Sequence, residues 1–181
     1  MMEMVNVMGL DLKSLMIAFA MPSHGKFVTE DILLRIADAV PALVALYDIK
    51  TAEYLFVNRA VKRLLGYTAQ QFIEGGLGFA VSIVHPDDIQ RLLAENQAVL
   101  EKANKQKVDT DEPIASFHYR MMRADGKYRW FVTEGTVFGR ADDGTVQFIL
   151  NVSIDVTEQK HTETALKRSL SALEKALKAE D

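Results

Sequence analysis

Residues 114–157 read IASFHYRMMRADGKYRWFVTEGTVFGRADDGTVQFILNVSIDVT, and the fold turns on this stretch. It divides into three long runs rich in β-branched and aromatic residues, 114–123, 128–139 and 145–156. Ala124-Asp125-Gly126-Lys127 and Ala141-Asp142-Asp143-Gly144 separate them, and both are Gly-containing hairpin turns. Three consecutive antiparallel strands follow. Alternation puts Asn151, Ser153 and Asp155 on one face of the last strand and Val152 and Ile154 on the other, with the inward face left open.

Upstream, residues 104–112 are polar and read as an exposed loop. Before it, His85-Pro86-Asp87-Asp88 starts a helix. Proline fits the first helical position, and the two aspartates sit at the positive end of the dipole. The helix runs to about residue 103, and helical steps from Ile89 place Leu92, Leu93, Asn96, Val99, Leu100 and Ala103 inward. Residues 43–47 and 54–57 favour strands and form a hairpin. Asn58 stands at an N-cap position before the stripe Ala60, Val61, Leu64 and Leu65, which Gly66 terminates. Thr68 caps a further short helix ending at Gly75-Gly76, and residues 77–84 are apolar without a clear period. An earlier helix has Thr29 as its cap, Ile32, Leu33, Ile36 and Val40 as its stripe and Pro41 as its end. Pro22-Ser23-His24-Gly25 is a break, and residues 1–21 are either a short packing helix or a frayed end. After Thr157 comes one polar helix in which Leu166, Leu170, Leu173 and Leu177 recur. Under two heptads are too short for an independent coiled coil, so this stripe either seals a supported dimer or packs back on its own domain. Strand groups around a helical block describe an α+β domain with an antiparallel sheet and helices on one face.

Composition narrows the chemistry. The chain has 181 residues, 49% hydrophobic and 25% charged, which excludes disorder along its length. With no cysteine it has no disulfides, thiolate metal sites or cysteine nucleophiles. The net charge of −4 gives no reason to expect nucleic acid as a partner. The longest apolar run of the N-terminus, residues 15–21, falls well below the roughly 20 residues of a membrane span. Acidic Glu3 and Asp11 precede it, unlike a signal peptide, so a cytoplasmic location is expected.

This order of elements resembles the PAS family of sensor domains over residues 38–157. The carrying segments are Tyr54-Leu55-Phe56-Val57-Asn58, Leu64-Leu65-Gly66-Tyr67 and Val84-His85-Pro86-Asp87-Asp88. Then come Tyr119-Arg120, Asp125-Gly126-Lys127-Tyr128-Arg129-Trp130 and Asp155-Val156-Thr157-Glu158. The His-Pro-Asp-Asp and Arg-Trp elements point to the subgroup common in bacterial sensor kinases and cyclic-dinucleotide enzymes. The resemblance implies a five-stranded sheet of order 2-1-5-4-3, with a small-molecule cavity between sheet and helices and an output helix leaving the last strand. It divides the chain into an N-terminal helical extension (1–37), a sensor domain (38–157) and a C-terminal signalling helix (158–181). The partners it implies are a second copy of the chain and a downstream histidine kinase, cyclic-dinucleotide output domain or partner protein.

Within that frame the cavity candidates are Asn96, His118, Tyr119 and Asn151. Asn151 stands where relatives often carry glycine. The central helix has no histidine beyond His85 at its start, which disfavours haem, and the absence of cysteine excludes a cysteinyl-flavin adduct. The ligand is otherwise unspecified. Asp155 and Thr157 form the expected signalling junction, in which Thr157 caps the exit helix and Asp155 fixes the turn by a charge-assisted bond. Leu166, Leu170, Leu173 and Leu177 form the expected dimer helix. His85, Asp87/Asp88, Asp142/Asp143 and the glycines at 75, 76 and 78 are each explained by helix starts, turns or helix ends. His161 lacks a phosphoacceptor context. No nucleophile, base and orienting group converge, so neither an enzyme nor a metal site is expected.

Overall fold

The computed structural model describes residues 30–106 and 114–179. The expectations for residues 1–21, the break at Pro22, the Thr29 cap and most of the 104–112 loop fall outside these residues. The chain divides into two compact units, Met1–Pro41 and Ala42–Asp181. In the first, helix α1 spans Glu30–Ala39. The second holds β1 (Leu43–Asp48), β2 (Glu53–Val57), α2 (Ala60–Leu65), α3 (Ala69–Ser82), α4 (Pro86–Gln106), β3 (Ala115–Met122), β4 (Tyr128–Arg140), β5 (Val146–Asp155) and α5 (Thr157–Ala179).

The strands form one antiparallel sheet of order β2-β1-β5-β4-β3, as expected. Its register settles which face is inward. Directly opposed residues of antiparallel strands share a face. Val57 opposes Ala45, which opposes Asn151, which opposes Gly135. Leu43, Ser153, Thr133 and Phe117 form the next row, followed by Asp155, Phe131 and Tyr119. Leu43, Ala45, Val57 and Phe131 belong to the hydrophobic core with Ala60, Val61, Leu64, Leu65, Phe72 and Ile83 of the helical block. Asn151, Ser153 and Asp155 therefore face the helices. Ile154, 44% exposed, faces away.

A tertiary partner changes one local expectation here. Asn58, 1% exposed, was expected as the cap of α2, but its carboxamide crosses to β1. Its Oδ1 accepts from Val44 N–H at 3.0 Å, and its Nδ2 donates to Ala42 C=O at 2.9 Å. The cap position falls to Arg59, without a side-chain cap bond. Thr68 does cap α3, with a reciprocal bond from Gln71. The first helical run breaks at the expected Gly75-Gly76, where Gly76 is non-helical (φ 53°, ψ −149°), and a second run carries α3 on to Ser82 across this bend. Only glycine adopts this conformation without strain. The bend returns Phe79 to the core beside Phe72.

Helix α4 keeps part of its expected face and departs from it at two positions. Leu93 is 49% exposed and Asn96 is exposed, whereas Asp88 is 6% and Ala103 7% exposed. The inward stripe runs Asp88, Leu92, Glu95, Val99, Ala103. Phasing from Ile89 found Leu92, Val99 and Ala103 of this stripe, but it did not include Asp88 or Glu95 and wrongly added Leu93 and Asn96. β3 is an edge strand, and residues before and within α4 close part of its open side. Met122 N–H donates to Ile83 C=O (2.7 Å) and His85 N–H to Arg120 C=O (2.9 Å). Arg91 Nη2 donates to His118 C=O (2.6 Å). No helix of the described residues is long and apolar enough to cross a membrane.

Candidate functional site

Three features of the second unit bear on function: its interior, a groove beside β3 and the start of α5. In the interior, five rings form a chain. Centroid separations are 5.1 Å for Tyr47–Tyr54, 5.9 Å for Tyr54–Phe72, 5.1 Å for Phe72–Phe79 and 5.2 Å for Phe79–Tyr67. Three of the contacts are edge-to-face and one is tilted, geometries that suit the ring quadrupoles. Burial raises the pKa of Tyr54, helped by the neighbouring Tyr119 and Tyr47 hydroxyls, so it stays neutral.

Beside the rings lies a polar strip on the inner face of the sheet. Tyr119 Oη is 2.9 Å from Thr133 Oγ1, which is 2.7 Å from Ser153 Oγ. Thr133 and Ser153 are 5% and 3% exposed. Burial raises the Tyr119 pKa, and bonding to Thr133 and Ser153 opposes the rise. Asn151 continues the strip, since a Cβ on Gly135 would lie 3.4 Å from its Oδ1. The missing side chain at Gly135 makes room for it.

The four cavity candidates thus separate. Tyr119 and Asn151 lie on the inner face. Asn96 lies on the exposed side of α4, with its Nδ2 bonded to Leu92 C=O at 2.9 Å. This is local helix chemistry rather than an inward position. His118 is exposed and lines an open groove of about 400 Å³ between α4 and β3, with Arg91, Glu95, Val99, Ser116 and Phe117. Among the described residues, no three His, Asp or Glu side chains are grouped to hold a metal ion.

The junction is held by several side-chain bonds. Thr157 N–H donates to Asp155 Oδ1 at 3.0 Å, and Arg129 Nη1 pairs with Asp155 Oδ2. Burial would raise the Asp155 pKa, but the Thr157 hydroxyl and N–H and the Arg129 guanidinium outweigh it and hold the carboxyl low. Thr157 was expected to cap the exit helix through its hydroxyl. That oxygen accepts from Trp130 N–H at 2.9 Å, while Trp130 C=O accepts from Val156 N–H at 2.9 Å. The β4–β5 ladder ends at the Phe131–Asp155 pair, so Trp130 needs partners beyond it, and Val156 and Thr157 supply them.

Trp130 is also tied to α4. The Arg120 guanidinium lies 5.1 Å from the centre of the Trp130 ring. Asp88 accepts from Arg120 Nε (2.8 Å), Nη2 (2.9 Å) and backbone N–H (2.9 Å). These bonds, led by the side-chain bond to Arg120, lower the Asp88 pKa against its burial. Sequence reasoning missed Asp88, Arg120, Thr133 and Ser153. Counting back from the turn at Asp125-Gly126 pairs Arg120 with Trp130 and Phe117 with Thr133, so the hairpin register was the available signal. On α5, Leu166, Leu170 and Leu173 are 59%, 52% and 58% exposed. The side chain of Leu177 lies outside the described residues.

The sheet order, the helical block on its inner face and the helix leaving β5 define a PAS fold. The family model described as the PAS fold matches residues 54–153, more than half of the chain, and the chain belongs to this family. It is 26% identical over 148 residues to the methyl sulfide methyltransferase-associated sensor of Methanosarcina acetivorans. That match covers 81% of this chain and 14% of the relative, so the chain spans about a seventh of the curated protein it resembles. Among solved structures it is similar to a sensory box histidine kinase/response regulator from Burkholderia thailandensis. There the TM-score is 0.57 and the identity 23%, over 78% of this chain and 97% of that one. It is also similar to the N-terminal domain of a diguanylate cyclase with PAS/PAC sensor from Marinobacter aquaeolei. There the TM-score is 0.53 and the identity 22%, over 66% and 99% of the two chains. At these identities the structures share the fold.

Proposed function

We propose that the chain is a sensory and dimerisation module of a signal-transduction protein. It takes a small molecule non-covalently against the inner face of the sheet and relays its presence through α5. The observation that carries this reading is the junction, where Asp155 and Thr157 bind the start of α5 to β4 by side-chain bonds. A shift of the last two strands then moves the helix. Tyr119, Thr133, Ser153 and Asn151 would receive the ligand's polar groups. In this reading residues 1–37 are an extension, 38–157 the sensor and 158–181 the signalling helix. Two copies pair through Leu166, Leu170, Leu173 and Leu177, no reaction is catalysed, and the module works in the cytoplasm. The output is a histidine kinase, a cyclic-dinucleotide domain or a separate partner. The names of the similar proteins, a sensor, a histidine kinase and a diguanylate cyclase, support this assignment.

A second reading, a ligand-free interaction adaptor, draws on the ring chain that occupies interior space between the hairpin and α3. Denaturing mass spectrometry of extract from the purified protein, with its absorption spectrum, separates the two. A stoichiometric small molecule supports the sensor, and a clean extract supports the adaptor. For the relay, Asp155→Ala or Thr157→Ala in the signalling protein uncouples input from output, and unchanged switching overturns it.

A further inference from the structure

We infer that Arg120 is a positioning residue that carries movement of α4 to the exit helix, through Asp88 on one side and Trp130 on the other. This rests on the reading of the Asp155–Thr157 junction as a relay and adds a second route into it. The expected route runs along β5. This one starts in the helical block and crosses β3 and β4.

The geometry is specific to arginine. Asp88 sits in the first turn of α4 and is 6% exposed. Its carboxylate binds both the guanidinium and the backbone N–H of Arg120, so the helix start cannot slide along β3 without breaking charge-assisted bonds. The same guanidinium lies over the Trp130 indole, 5.1 Å from the ring centre. A lysine ammonium offers neither the fork nor the stacking plane. Trp130 in turn donates its N–H to the Thr157 hydroxyl and accepts at its C=O from Val156 N–H, the residues at which β5 becomes α5. One turn beyond Asp88, Arg91 reaches His118 C=O at the open groove, so a disturbance of that turn acts next to Asp88.

The test is site-resolved hydrogen exchange by NMR on the full chain, comparing wild type with Arg120→Met and Asp88→Asn. The probes are the amides of Trp130, Val156 and Lys160, the last of which donates to Val156 C=O at 2.9 Å. The controls are the amides of Asn58, bonded to Val44 C=O of β1, and Ile49, bonded to Gln147 C=O at the far end of β5 from the junction. Exchange at the three probes should rise tenfold or more in each variant, with the controls within twofold. The double variant should be no worse than the stronger single one. Unchanged probes overturn the inference, and so does equal acceleration of probes and controls, which marks general destabilisation. If Arg120→Met folds poorly, Arg120→Lys decides by the same criterion. Normal switching in Thr157→Ala would sink the relay while leaving this exchange result standing.

Discussion

The two ends of the sheet are held by different physics. Around β1, β2, α2 and α3, the structure rests on apolar contact between Val61, Leu65, Phe72 and the ring chain. Around β3, β4 and the starts of α4 and α5, directional bonds stand out: the charged pairs Asp88–Arg120 and Arg129–Asp155, and the neutral bond from Trp130 to Thr157. Dispersion between packed rings tolerates few alternative arrangements. A guanidinium–carboxylate pair with partial solvent access has alternatives, because water and other acceptors can replace its bonds. The first end is held by close packing and the second by bonds that water can replace.

The largest effect should come from the packed end. Phe72→Ala removes a ring that is 3% exposed and touches both Tyr54 and Phe79. It should cost about 3–5 kcal/mol in urea unfolding, with little dependence on pH. A loss under about 1 kcal/mol would break the contrast.

Asn58→Ala comes next and sharpens it, because this is the polar pin inside the packed end. It leaves Val44 N–H and Ala42 C=O without their partner and should cost about 2–3 kcal/mol, again without pH dependence.

The third effect belongs to the bonded end. The carboxyls of Asp88 and Asp155 are held below the ordinary aspartate value in the folded protein. The stability they add is fully present above about pH 4 and is lost as pH falls through their lower folded-state values. Wild type should lose stability more steeply below pH 4 than Asp88→Asn. Parallel acid profiles for the two proteins would remove the distinction between the ends.

The smallest effect is a pair of substitutions in α3. A Cβ on Gly75 would lie 2.4 Å from Phe79 Cβ, whereas one on Gly78 meets nothing within 4 Å. Gly75→Ala should cost about 1–3 kcal/mol by overpacking. Gly78→Ala should gain roughly 0.5–1 kcal/mol from helix propensity. Thermal melts of the two variants displaced in opposite directions would confirm that packing governs this end.

Local chemistry was legible in the sequence wherever it decided the outcome. Pro86 starts α4, Thr68 caps α3, and the turns at Gly126 and Gly144 set the strands within a residue or two. The sequence lost its authority where a side chain had two candidate partners. Asn58 and Thr157 both read as helix caps, yet each carries its side-chain bond to a neighbouring strand. Asp88 reads as a dipole partner, but it is buried against Arg120, and the expected inward residues Leu93 and Asn96 lie exposed. Asn151 could be placed on a face only once the register of Ala45, Asn151 and Gly135 was known.

The closed side of β3 has a further consequence. A free strand edge is a template on which another chain can polymerise. Here the carbonyl of Ile83, the N–H of His85, the carboxylate of Asp88 and the guanidinium of Arg91 occupy consecutive alternate groups of that edge. At the opposite border β2 has five residues, too few to offer a long template. The bonds that tie α4 to the sheet therefore also guard the protein against amyloid-like self-association, and loosening them at Arg120 or Asp88 should shorten its shelf life at high concentration.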